Sequence, residues 1–345
     1  MLAKKVLRII NFVEQNPLCS SSVIHKKAIP EIGFASVKRI LSKLVSENLI
    51  AKKGQGKGTK YLISPYYELF KPININKYYE KEIDERSIKK DFNFQLLETL
   101  NNCDLFTSEE IKKLDIFQKI FSKNIAQLTK QEYKKEFERL AIDLSWKSSQ
   151  IEGNTYSLLE TERLLKEKET ASGKSKEEAI MLLNHKEVLD FILNNQDYLV
   201  PITISKIEDI HSMLIKELNV NRNIRIRRVG ITGTNYSPLD NEYQIKEALA
   251  AMCKISNQKK SVFERSLLAL LLISYIQPFI DGNKRTARIV SNAILINEKY
   301  CPISFRTVDT VEYKKAMLLF YEQNNITAFK EIFINQYEFA VNTYF

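Results

Sequence analysis

Charged and polar side chains crowd into one short stretch of the chain, Gln277–Arg288, which reads QPFIDGNKRTAR. Apolar runs precede it over 266–276 and follow it over 289–296, so we predict two buried helices joined by a loop at 278–284. A Gly-Asn turn that opens a helix leaves backbone N–H groups unpaired beside the positive end of the helix dipole. The stretch therefore predicts an anion site, and phosphate suits it.

Three charged side chains strengthen this prediction. Arg285 and Arg288 are three residues apart, so they share one face of the following helix and both can reach an anion bound there. Asp281 supplies a hard carboxylate oxygen of the kind that Mg²⁺ prefers. The alternative is a structural turn followed by two solvated arginines. The coincidence of so many phosphate-binding features in one run favours the anion site.

The same stretch resembles the Fic motif, His-Pro-Phe-x-Asp/Glu-Gly-Asn-Gly/Lys-Arg-x-x-Arg, at every fixed position from Pro278 onward. Fic proteins move AMP from ATP onto a protein hydroxyl, and the resemblance implies ATP as substrate and Mg²⁺ held by Asp281. The nucleotide-binding residues that it implies are Asp281, Gly282, Asn283, Lys284, Arg285 and Arg288. The first motif position departs from the pattern, because the family has its general base, a His, where this chain has Gln277.

The departure at Gln277 governs the expected activity. An amide does not titrate near neutrality, so it cannot accept the proton of the target hydroxyl. General base catalysis is worth about 10²–10⁴-fold, and we expect a severe loss of transfer with nucleotide binding retained, since Gln has a similar reach to His. Lys284 also occurs in the Doc toxins, which resemble Fic but transfer the γ-phosphate. Those toxins lack the second arginine, so the presence of Arg288 favours AMP transfer.

A second motif, SSQIEGN, lies upstream at 148–154. It resembles the Fic inhibitory motif, Ser/Thr-x-x-x-Glu-Gly/Asn, with Ser148, Glu152 and Gly153 at its fixed positions. In the family the second motif arginine holds the γ-phosphate of ATP, so the resemblance implies that Glu152 inhibits the site by pairing with Arg288. We expect that pair to be bidentate. The alternative is a helix end at which a glycine follows a solvated Glu.

The segment Arg225–Pro238, RIRRVGITGTNYSP, interrupts the helical pattern. Its β-branched residues on both sides of Gly233 predict a β-hairpin. It resembles the Fic flap, Arg-x-x-x-Val-x-Ile followed by an aromatic residue and Pro, which receives the target segment as an added strand. The flap residues that the resemblance assigns are Val229, Gly230, Ile231 and Thr232. The alternative is a purely structural hairpin.

The positive charge of the chain is concentrated at its N-terminal end. The 345 residues carry a formal net charge of +10, and residues 1–65 hold twelve Lys and Arg against three Glu, a net charge of +9. The remaining residues are therefore close to neutral. This asymmetry points to an acidic partner for the first segment alone.

Residues 1–65 also show the pattern of a winged helix-turn-helix domain. Apolar spacing predicts helices over 4–15, 20–27 and 35–48, and strands over 49–53 and 59–63 flank a Gly-rich hairpin. The third helix would enter the major groove of DNA, and hairpin lysines would contact phosphates. The residues assigned to DNA contact are Lys38, Arg39, Lys43 and Lys57. A protein-docking module and a merely solvated basic face are the alternatives.

Composition limits the remaining classes. No apolar run reaches the roughly 18 residues that a membrane span needs, and the N-terminus lacks the small-residue cleavage site of a signal peptide. The four cysteines and three histidines are scattered. This distribution predicts reduced thiols and no zinc site, as in a cytoplasmic protein. His185 and His211 are interpreted as structural hydrogen-bonding residues.

We therefore predict a mainly α protein, an all-helical Fic fold with a β-hairpin flap behind a winged helix-turn-helix domain. The predicted domains are residues 1–65, a helical connector at 66–130, and a Fic domain at 131–345. The aromatic tail, 305–345, is interpreted as packing, although it could join a homodimer.

Three functional hypotheses follow. The first is a Fic adenylyltransferase held off by Glu152 and weakened by Gln277, which acts on a target protein with a Ser, Thr or Tyr hydroxyl. The second is a catalytically silent Fic fold that binds ATP and signals through DNA bound to the winged helix. In the third, the Fic domain of a DNA-bound regulator is only an interaction surface. None of them involves a membrane.

Overall fold

A computed structural model describes residues 2–345, with side chains from residue 4 onward. Helices dominate the described chain, which confirms the mainly α fold class, and the three strands are short. The chain divides into two compact units. One contains the residues up to Ile73 together with Gln323–Thr327, and the other contains Asn74–Glu322 and Ala328–Phe345.

The first unit combines four helices with a three-stranded antiparallel sheet of order β1-β3-β2. Its elements are α1 (Leu2–Gln15), β1 (Cys19–Ser20), α2 (Ser21–Ala28), α3 (Phe34–Ser46), β2 (Ile50–Lys53), β3 (Lys60–Ile63) and α4 (Pro65–Phe70). The three predicted helices and both predicted strands are present. Strand β1 was not predicted, because two residues are too short to show an alternating pattern.

The apolar face of α3 explains the core of this unit. Val37, Leu41 and Leu44 recur at helical spacing and are fully buried, in one cluster with Ile9 and Val13 of α1. The opposite face of α3 is left to its charged residues. The sequence pattern therefore determines which face of α3 is presented to solvent.

The turn between β2 and β3 needs glycine. Gly54 has φ +83°, and a Cβ atom there would lie 2.9 Å from the carbonyl oxygen of Gly58. Any other residue at Gly54 would meet both backbone strain and a steric clash. The Gly-rich run in the sequence thus marks a tight hairpin.

The second unit is helical. Its helices are α5 (Ile75–Tyr79), α6 (Phe94–Asn101), α7 (Ser108–Ile125), α8 (Lys130–Ile151), α9 (Leu158–Glu167), α10 (Lys176–Asn194), α11 (Ile204–Leu214), α12 (Glu242–Gln258), α13 (Val262–Ile276), α14 (Asn283–Asn297), α15 (Thr310–Gln323) and α16 (Thr327–Tyr344). A capping box of Thr107 and Glu110 starts α7, as the sequence predicts.

Helices α13 and α14 form the centre of the second unit. All but one residue of α13 is buried, and α14 is buried from Arg285 to Ile296. A helix that is apolar on every side has to lie inside the protein. The hydroxyl oxygens of Ser266 and Ser291, one on each helix, are 2.7 Å apart and satisfy each other in the core. The loop between these helices therefore rests on the most enclosed part of the fold.

Helix α8 continues to Ile151, whereas the amphipathic pattern of the sequence predicts a helix over Glu132–Trp146 only. The prediction stopped there because Lys147, Ser148 and Ser149 break the apolar pattern. These three side chains are nevertheless buried. Burial of polar side chains, with Ser148 accepting hydrogen bonds from Arg288, thus accompanies the part of the helix that apolar spacing does not show.

The C-terminal helices α15 and α16 confirm the packing interpretation of the aromatic tail. Tyr313, Phe320, Phe329 and Phe333 are fully buried. His185 of α10 is also buried, and its Nδ1 lies 3.2 Å from the hydroxyl of Ser145, which agrees with a structural role. The four cysteines are free thiols. No helix within residues 2–345 is long and apolar enough to cross a membrane.

Candidate functional site

The loop between α13 and α14 is organised by one amide side chain. Asn283 accepts a hydrogen bond from the backbone N–H of Phe279 (2.8 Å) and donates to the carbonyl oxygen of the same residue (2.8 Å). It also donates to Oε1 of Gln277 (3.0 Å). Gln277 and Gly282, at the two ends of the loop, have φ values of +52° and +79°. Helix α14 therefore begins at Asn283, two residues before the predicted start.

Gln277 faces the interior of this loop. Its Nε2 donates to the carbonyl oxygen of Ser274 at 2.6 Å, while its Oε1 accepts from Asn283. Both ends of the amide are thus engaged by the loop itself. Only 7% of the surface of Gln277 is exposed, and this part lines the cavity described below.

His211 supports the loop from α11. Its ring stacks on Phe279 with centroids 3.6 Å apart, and its Nε2 lies 2.9 Å from the carbonyl oxygen of Asp281. Burial lowers the pKa of His211 to about 4, although the carbonyl oxygens of Asp281 and Arg222 act in the opposite direction. The ring is therefore neutral at pH 7 and donates one hydrogen bond. The structural interpretation of His211 is confirmed.

Arg225 ties the start of the flap segment, 225–238, to the same loop. Its Nε donates to the carbonyl oxygen of Gln277 (2.6 Å), and its backbone N–H donates to the carbonyl oxygen of Pro278 (2.9 Å). Nη2 donates to the carbonyl oxygen of Leu239. The sequence shows Arg225 only as part of a flap pattern. Its role as a clamp depends on contacts distant in sequence.

The N-terminus of α14 has the features of an anion site. No side chain caps it, so the first N–H groups of the helix keep their partial positive charge. Arg285 lies there with 2% of its side chain exposed, and its Nη2 donates to Asp281 at 3.2 Å. Its Nε and Nη1 are buried and have no hydrogen-bond partner within the described residues. The alternative of solvated arginines is therefore wrong.

Arg288 is fully buried and bonded on all sides. Its Nε donates to the hydroxyl of Ser148 (2.8 Å), and Nη2 donates to the carbonyl oxygen of Ser148 (2.9 Å). Nη2 also donates to Oε1 of Glu152 at 2.7 Å, and Nη1 donates to the hydroxyl of Tyr313 at 3.3 Å. The predicted meeting of Glu152 with Arg288 is thus observed.

The predicted bidentate geometry of this pair is wrong. One oxygen of Glu152 bonds to Arg288, and the other lies 3.6 Å from Nζ of Lys284. Ser148 accepts from Nε and Nη2 of Arg288, and Tyr313 accepts from Nη1, so the guanidinium does not present two parallel donors to Glu152. The carboxylate therefore bridges two cations.

The protonation of Glu152 follows from this arrangement. Burial alone would raise the pKa of Glu152, but the charges of Arg288 and Lys284 outweigh it and hold the pKa below its ordinary value. The carboxylate is therefore charged at neutral pH. The alternative of a solvated Glu at a helix end does not hold, because 21% of the Glu152 side chain is exposed. Gly153, with φ +103°, ends the helix directly after it.

The flap segment does not form the predicted β-hairpin. It turns at Gly233, where φ is +91°, but its arms are not paired as strands. Backbone groups at its two ends and at its turn bond to other segments instead, as in the bond from the N–H of Ser237 to the carbonyl oxygen of Lys90 at 2.7 Å. The prediction rested on β-branched residues, and tertiary contacts override that propensity here.

A cavity of about 430 Å³ brings these elements together. Its wall includes the predicted residues Gln277, Asp281, Gly282, Asn283, Lys284, Glu152, Val229, Gly230, Ile231 and Thr232. Arg285 and Arg288 do not line it, and Glu152 stands between Arg288 and the open space. Helix α15 contributes a side of the cavity that the sequence analysis missed. Its lining residues are Tyr313, Lys314, Met317, Leu318 and Tyr321.

The carboxylate of Asp281 is 64% exposed and faces the cavity. Within residues 4–345, no group of three or more His, Cys, Asp or Glu side chains is placed to hold a metal ion. A single carboxylate suits Mg²⁺ when other oxygens come from water and from substrate phosphates. Asp281 therefore fits a shared metal site, and a preformed protein cage is not needed.

The predicted basic surface lies in the first unit. Lys38, Arg39 and Lys43 project from the exposed face of α3, and Lys57 projects from the hairpin between β2 and β3. Lys43 makes a surface ion pair with Glu47 at 3.6 Å. Such a pair contributes little to stability, so this face remains available to a partner.

Comparison with known families identifies the part of the chain that carries the loop and the flap segment. Residues 201–295 match the family described as the Fic/DOC family. The matched range includes 225–238 and 277–288, and it does not include Glu152 or α15.

Curated relatives match about half of the chain. One is the protein adenylyltransferase fic-1 of Caenorhabditis briggsae, 28% identical over 171 residues, which are 47% of this chain and 33% of the relative. Another is the protein adenylyltransferase Fic of Nematostella vectensis, 30% identical over 176 residues, which are 48% of this chain and 40% of the relative. The chain thus spans between a third and two fifths of the length of these relatives.

Solved structures share the fold. A fragment of Fic-1 from C. elegans superimposes with a TM-score of 0.59 at 20% identity and covers 72% of this chain and 80% of the fragment. A Fic domain containing signaling protein from Bacteroides thetaiotaomicron gives a TM-score of 0.56 at 21% identity and covers 67% and 96% of the two chains. The predicted helical fold around the loop is confirmed at this level.

The loop geometry predicts the effect of replacing Asn283. We expect Asn283→Ala to lower the free energy of unfolding by about 1–3 kcal/mol, because the buried N–H of Phe279 loses its acceptor. Urea denaturation followed by circular dichroism measures the change. Asn297→Ala, whose hydrogen bonds lie at the surface, is the matched control and should stay within about 0.5 kcal/mol of the wild type. Equal losses in both variants would contradict the role of Asn283.

Proposed function

We propose, from the premise that residues 201–295 belong to the Fic/DOC family, that the chain is a protein adenylyltransferase of the cytoplasm. In this proposal Glu152 inhibits the site, and Gln277 lowers the rate of transfer. The observation that carries this proposal is the bond of the Glu152 carboxylate to Arg288 beside an uncapped helix N-terminus. A carboxylate at that position competes with a phosphate for the same cation. The relatives named as adenylyltransferases support the assignment to AMP transfer.

The anion features are matched to the phosphates of ATP. The first N–H groups of α14 offer hydrogen bonds to phosphate oxygens, and Arg285 behind them adds positive charge and two donors without a partner within the described residues. Arg288 would take the terminal phosphate once Glu152 has moved away. The apolar side chains of Met317 and Leu318 on the opposite wall suit the less polar part of the nucleotide.

Mg²⁺ fits the exposed carboxylate of Asp281. When bound there, the ion would neutralise charge on the phosphates. Asp281 is positioned for this by the bond that it accepts from Arg285 and by the contact of its carbonyl oxygen with His211. Asp281 can therefore stabilise the loop through its carbonyl oxygen and bind the metal through its carboxylate.

The flap residues are suited to an acceptor protein. Within the described residues, no hydrogen bond joins the backbone of Val229–Thr232 to another segment, and these residues line the cavity. An extended segment of the target could therefore add to this backbone as a strand and bring its Ser, Thr or Tyr hydroxyl to the site. The target remains defined only by that chemistry.

Glu152 opposes this use of the site by electrostatics. Its bond to Arg288 is charge-assisted, and such bonds contribute about 1.5–3 kcal/mol. ATP has to displace the carboxylate to gain Arg288. We therefore expect Glu152 to weaken ATP binding by roughly 10–100-fold, since 1.4 kcal/mol corresponds to a factor of ten.

Gln277 opposes the chemical step. Both ends of its amide are bonded to Ser274 and Asn283, and an amide has no basic lone pair to accept the proton of the acceptor hydroxyl. The remaining groups can still hold ATP and stabilise charge on the phosphates. Transfer at a residual rate is the expected result.

A second candidate function is a silent ATP-binding regulator that acts through DNA. It is favoured by the full engagement of Gln277 within the loop and by the exposed basic face of α3. Helices α1 to α3 and the sheet of the first unit support a winged helix-turn-helix domain in this proposal. In this account the same ATP site reports nucleotide binding without catalysis.

The two functions differ in what happens to labelled ATP. We expect the double variant Glu152→Gly, Gln277→His to label itself or a protein in a cell extract with α-labelled ATP, at least 100-fold faster than the wild type. The gain combines the restored base with the freed Arg288. Autoradiography after electrophoresis measures the rate.

Two further variants show which substitution causes the gain in labelling rate. Gln277→His alone should stay inhibited, and Gln277→Asn with Glu152→Gly should bind ATP without labelling. Labelling from γ-labelled ATP but not from α-labelled ATP would mean phosphoryl transfer and contradict the proposal. If the double variant transfers no label from either form of ATP, the transferase function is contradicted and the silent regulator is the function that remains.

The DNA part of the second function predicts a salt dependence. Binding of the full chain to duplex DNA should weaken as salt rises, and Lys57→Gln should make the slope of log K against log salt shallower by about 1. Fluorescence anisotropy measures the slope. Lys254→Gln, an exposed charge in the second unit, is the control and should leave the slope unchanged. Binding that is insensitive to salt would contradict phosphate contact.

A further inference from the structure

A segment that includes the last two residues of α5 and the chain after it, which we call the strap (Tyr78–Phe92), runs alongside both the flap segment and α15. It has little regular structure, and the sequence shows only a connector there. At the centre of the strap lies Arg86, with 3% of its side chain exposed, opposite Glu322, whose side chain is fully buried. A buried charge pair in a connector calls for an explanation, because desolvation of both groups opposes it.

Arg86 joins the two elements that it touches. Its Nη1 lies 3.2 Å from Oε1 of Glu322, near the C-terminus of α15, and its Nη2 donates to the carbonyl oxygen of Gly233 at 2.8 Å. Gly233 is the turn of the flap segment. The guanidinium is also seated over the ring of Tyr79 at 5.0 Å. One planar side chain thus links the flap turn to α15.

Other residues of the strap also bond to the flap segment and to α15. On the flap side, Asn235 donates to the carboxylate of Asp84 (2.9 Å), and the N–H of Ser237 donates to the carbonyl oxygen of Lys90 (2.7 Å). On the α15 side, the N–H of Lys89 donates to the carbonyl oxygen of Glu322 at 2.9 Å. The hydroxyl of Tyr78 donates to the Glu322 carboxylate at 2.7 Å. The strap is therefore bonded to both elements along its length.

Both elements are walls of the same cavity. Val229–Thr232 form one wall, and α15 forms another through residues that include Leu318. The two walls are close at the turn, where a Cβ atom on Gly233 would lie 3.3 Å from Cδ1 of Leu318. A change in the position of Arg86 would therefore change the spacing between the flap and α15.

We propose that Arg86 is a positioning residue, which sets the distance between the flap turn and α15 and so aligns the acceptor segment. The inference rests on the proposed transferase function and extends it. Among the described residues, no hydrogen bond or ion pair joins the strap to Arg288 or to the N-terminus of α14, so its effect falls on the acceptor and not on the phosphates. The strap thereby becomes part of the acceptor site.

The guanidinium geometry suggests the sharpest variant. Arginine presents donors in a rigid fork, which here reaches a carboxylate and a carbonyl oxygen at once, whereas the ammonium of lysine is a single point charge. Arg86→Lys keeps the charge next to Glu322 and gives up the bond to Gly233. The variant therefore separates the link to the flap from charge pairing in the core.

Hydrogen exchange of individual amides tests the link in the full chain. In Arg86→Lys, the amides of Ser237 and Lys89 should exchange at least tenfold faster. The amide of Arg225, which donates to Pro278 at the base of the flap, should stay within threefold of the wild type. Arg265→Lys is the control, since Arg265 pairs with Glu298 away from the flap, and it should leave all three amides unchanged.

Two results would overturn the proposal. One is unchanged exchange at Ser237 and Lys89 in Arg86→Lys, and the other is equal acceleration at Arg225, which would indicate general destabilisation. If Arg86→Lys does not fold, Glu322→Gln, which keeps the side-chain shape, is measured with the same criteria.

Separate measurement of the maximal labelling rate and of the half-saturating ATP concentration tests the consequence for transfer. In the Glu152→Gly, Gln277→His background, Arg86→Lys should lower the maximal labelling rate at least tenfold and leave the half-saturating ATP concentration within twofold. An unchanged rate, or a half-saturating ATP concentration that rises as the rate falls, would overturn the role in acceptor alignment. If the background itself transfers no label, the proposed transferase function fails, and the exchange result alone decides whether the strap positions the flap.

Discussion

The buried guanidinium of Arg288 is the constraint on which the rest of the site depends. A cation without water needs partners on every side, and this one finds them in the hydroxyl and carbonyl oxygens of Ser148, the hydroxyl of Tyr313 and the carboxylate of Glu152. Two of these contacts come from Ser148 in α8 and one from Glu152, which directly follows that helix, so the carboxylate can leave without unfolding α8. The end of α8 and the start of α14 are thereby joined through one exchangeable bond. The proposed inhibition uses that bond.

The surrounding fold fixes the shape of the loop that precedes Arg288. The loop closes on Asn283, His211 supports it at Asp281, and Arg225 attaches the flap segment to it. Each of these contacts uses a backbone carbonyl or N–H group, so the loop shape depends little on which ligand is bound. The anion features are thus preorganised. In our proposal, the partner of Arg288 is what changes between an inhibited and an active state, and Arg86 sets the acceptor side separately.

Local chemistry was predictable from the sequence, and tertiary geometry was not. The loop between two buried helices followed from residue types in a short run, and the pairing of Glu152 with Arg288 followed from the resemblance to the Fic inhibitory motif. The bidentate geometry failed because Ser148 and Tyr313 compete for the same donors. The β-hairpin failed because the backbone of the flap segment bonds to the strap, a partner far away in sequence. The contributions of α15 and Arg86 were missed for the same reason, since neither belongs to a local motif.

The affinity for ATP, measured with and without Glu152, tests the central claim most directly. Isothermal titration calorimetry of ATP with Mg²⁺ is carried out on the wild type and on Glu152→Gly. Glu138→Gln, which removes a negative charge that pairs with Lys186 and not with Arg288, serves as a charge-matched control. The account predicts roughly 10–100-fold tighter binding for Glu152→Gly and no change for the control. Equal affinity in all three proteins, or no heat of binding in Glu152→Gly, would contradict the claim that a carboxylate and a phosphate compete for Arg288.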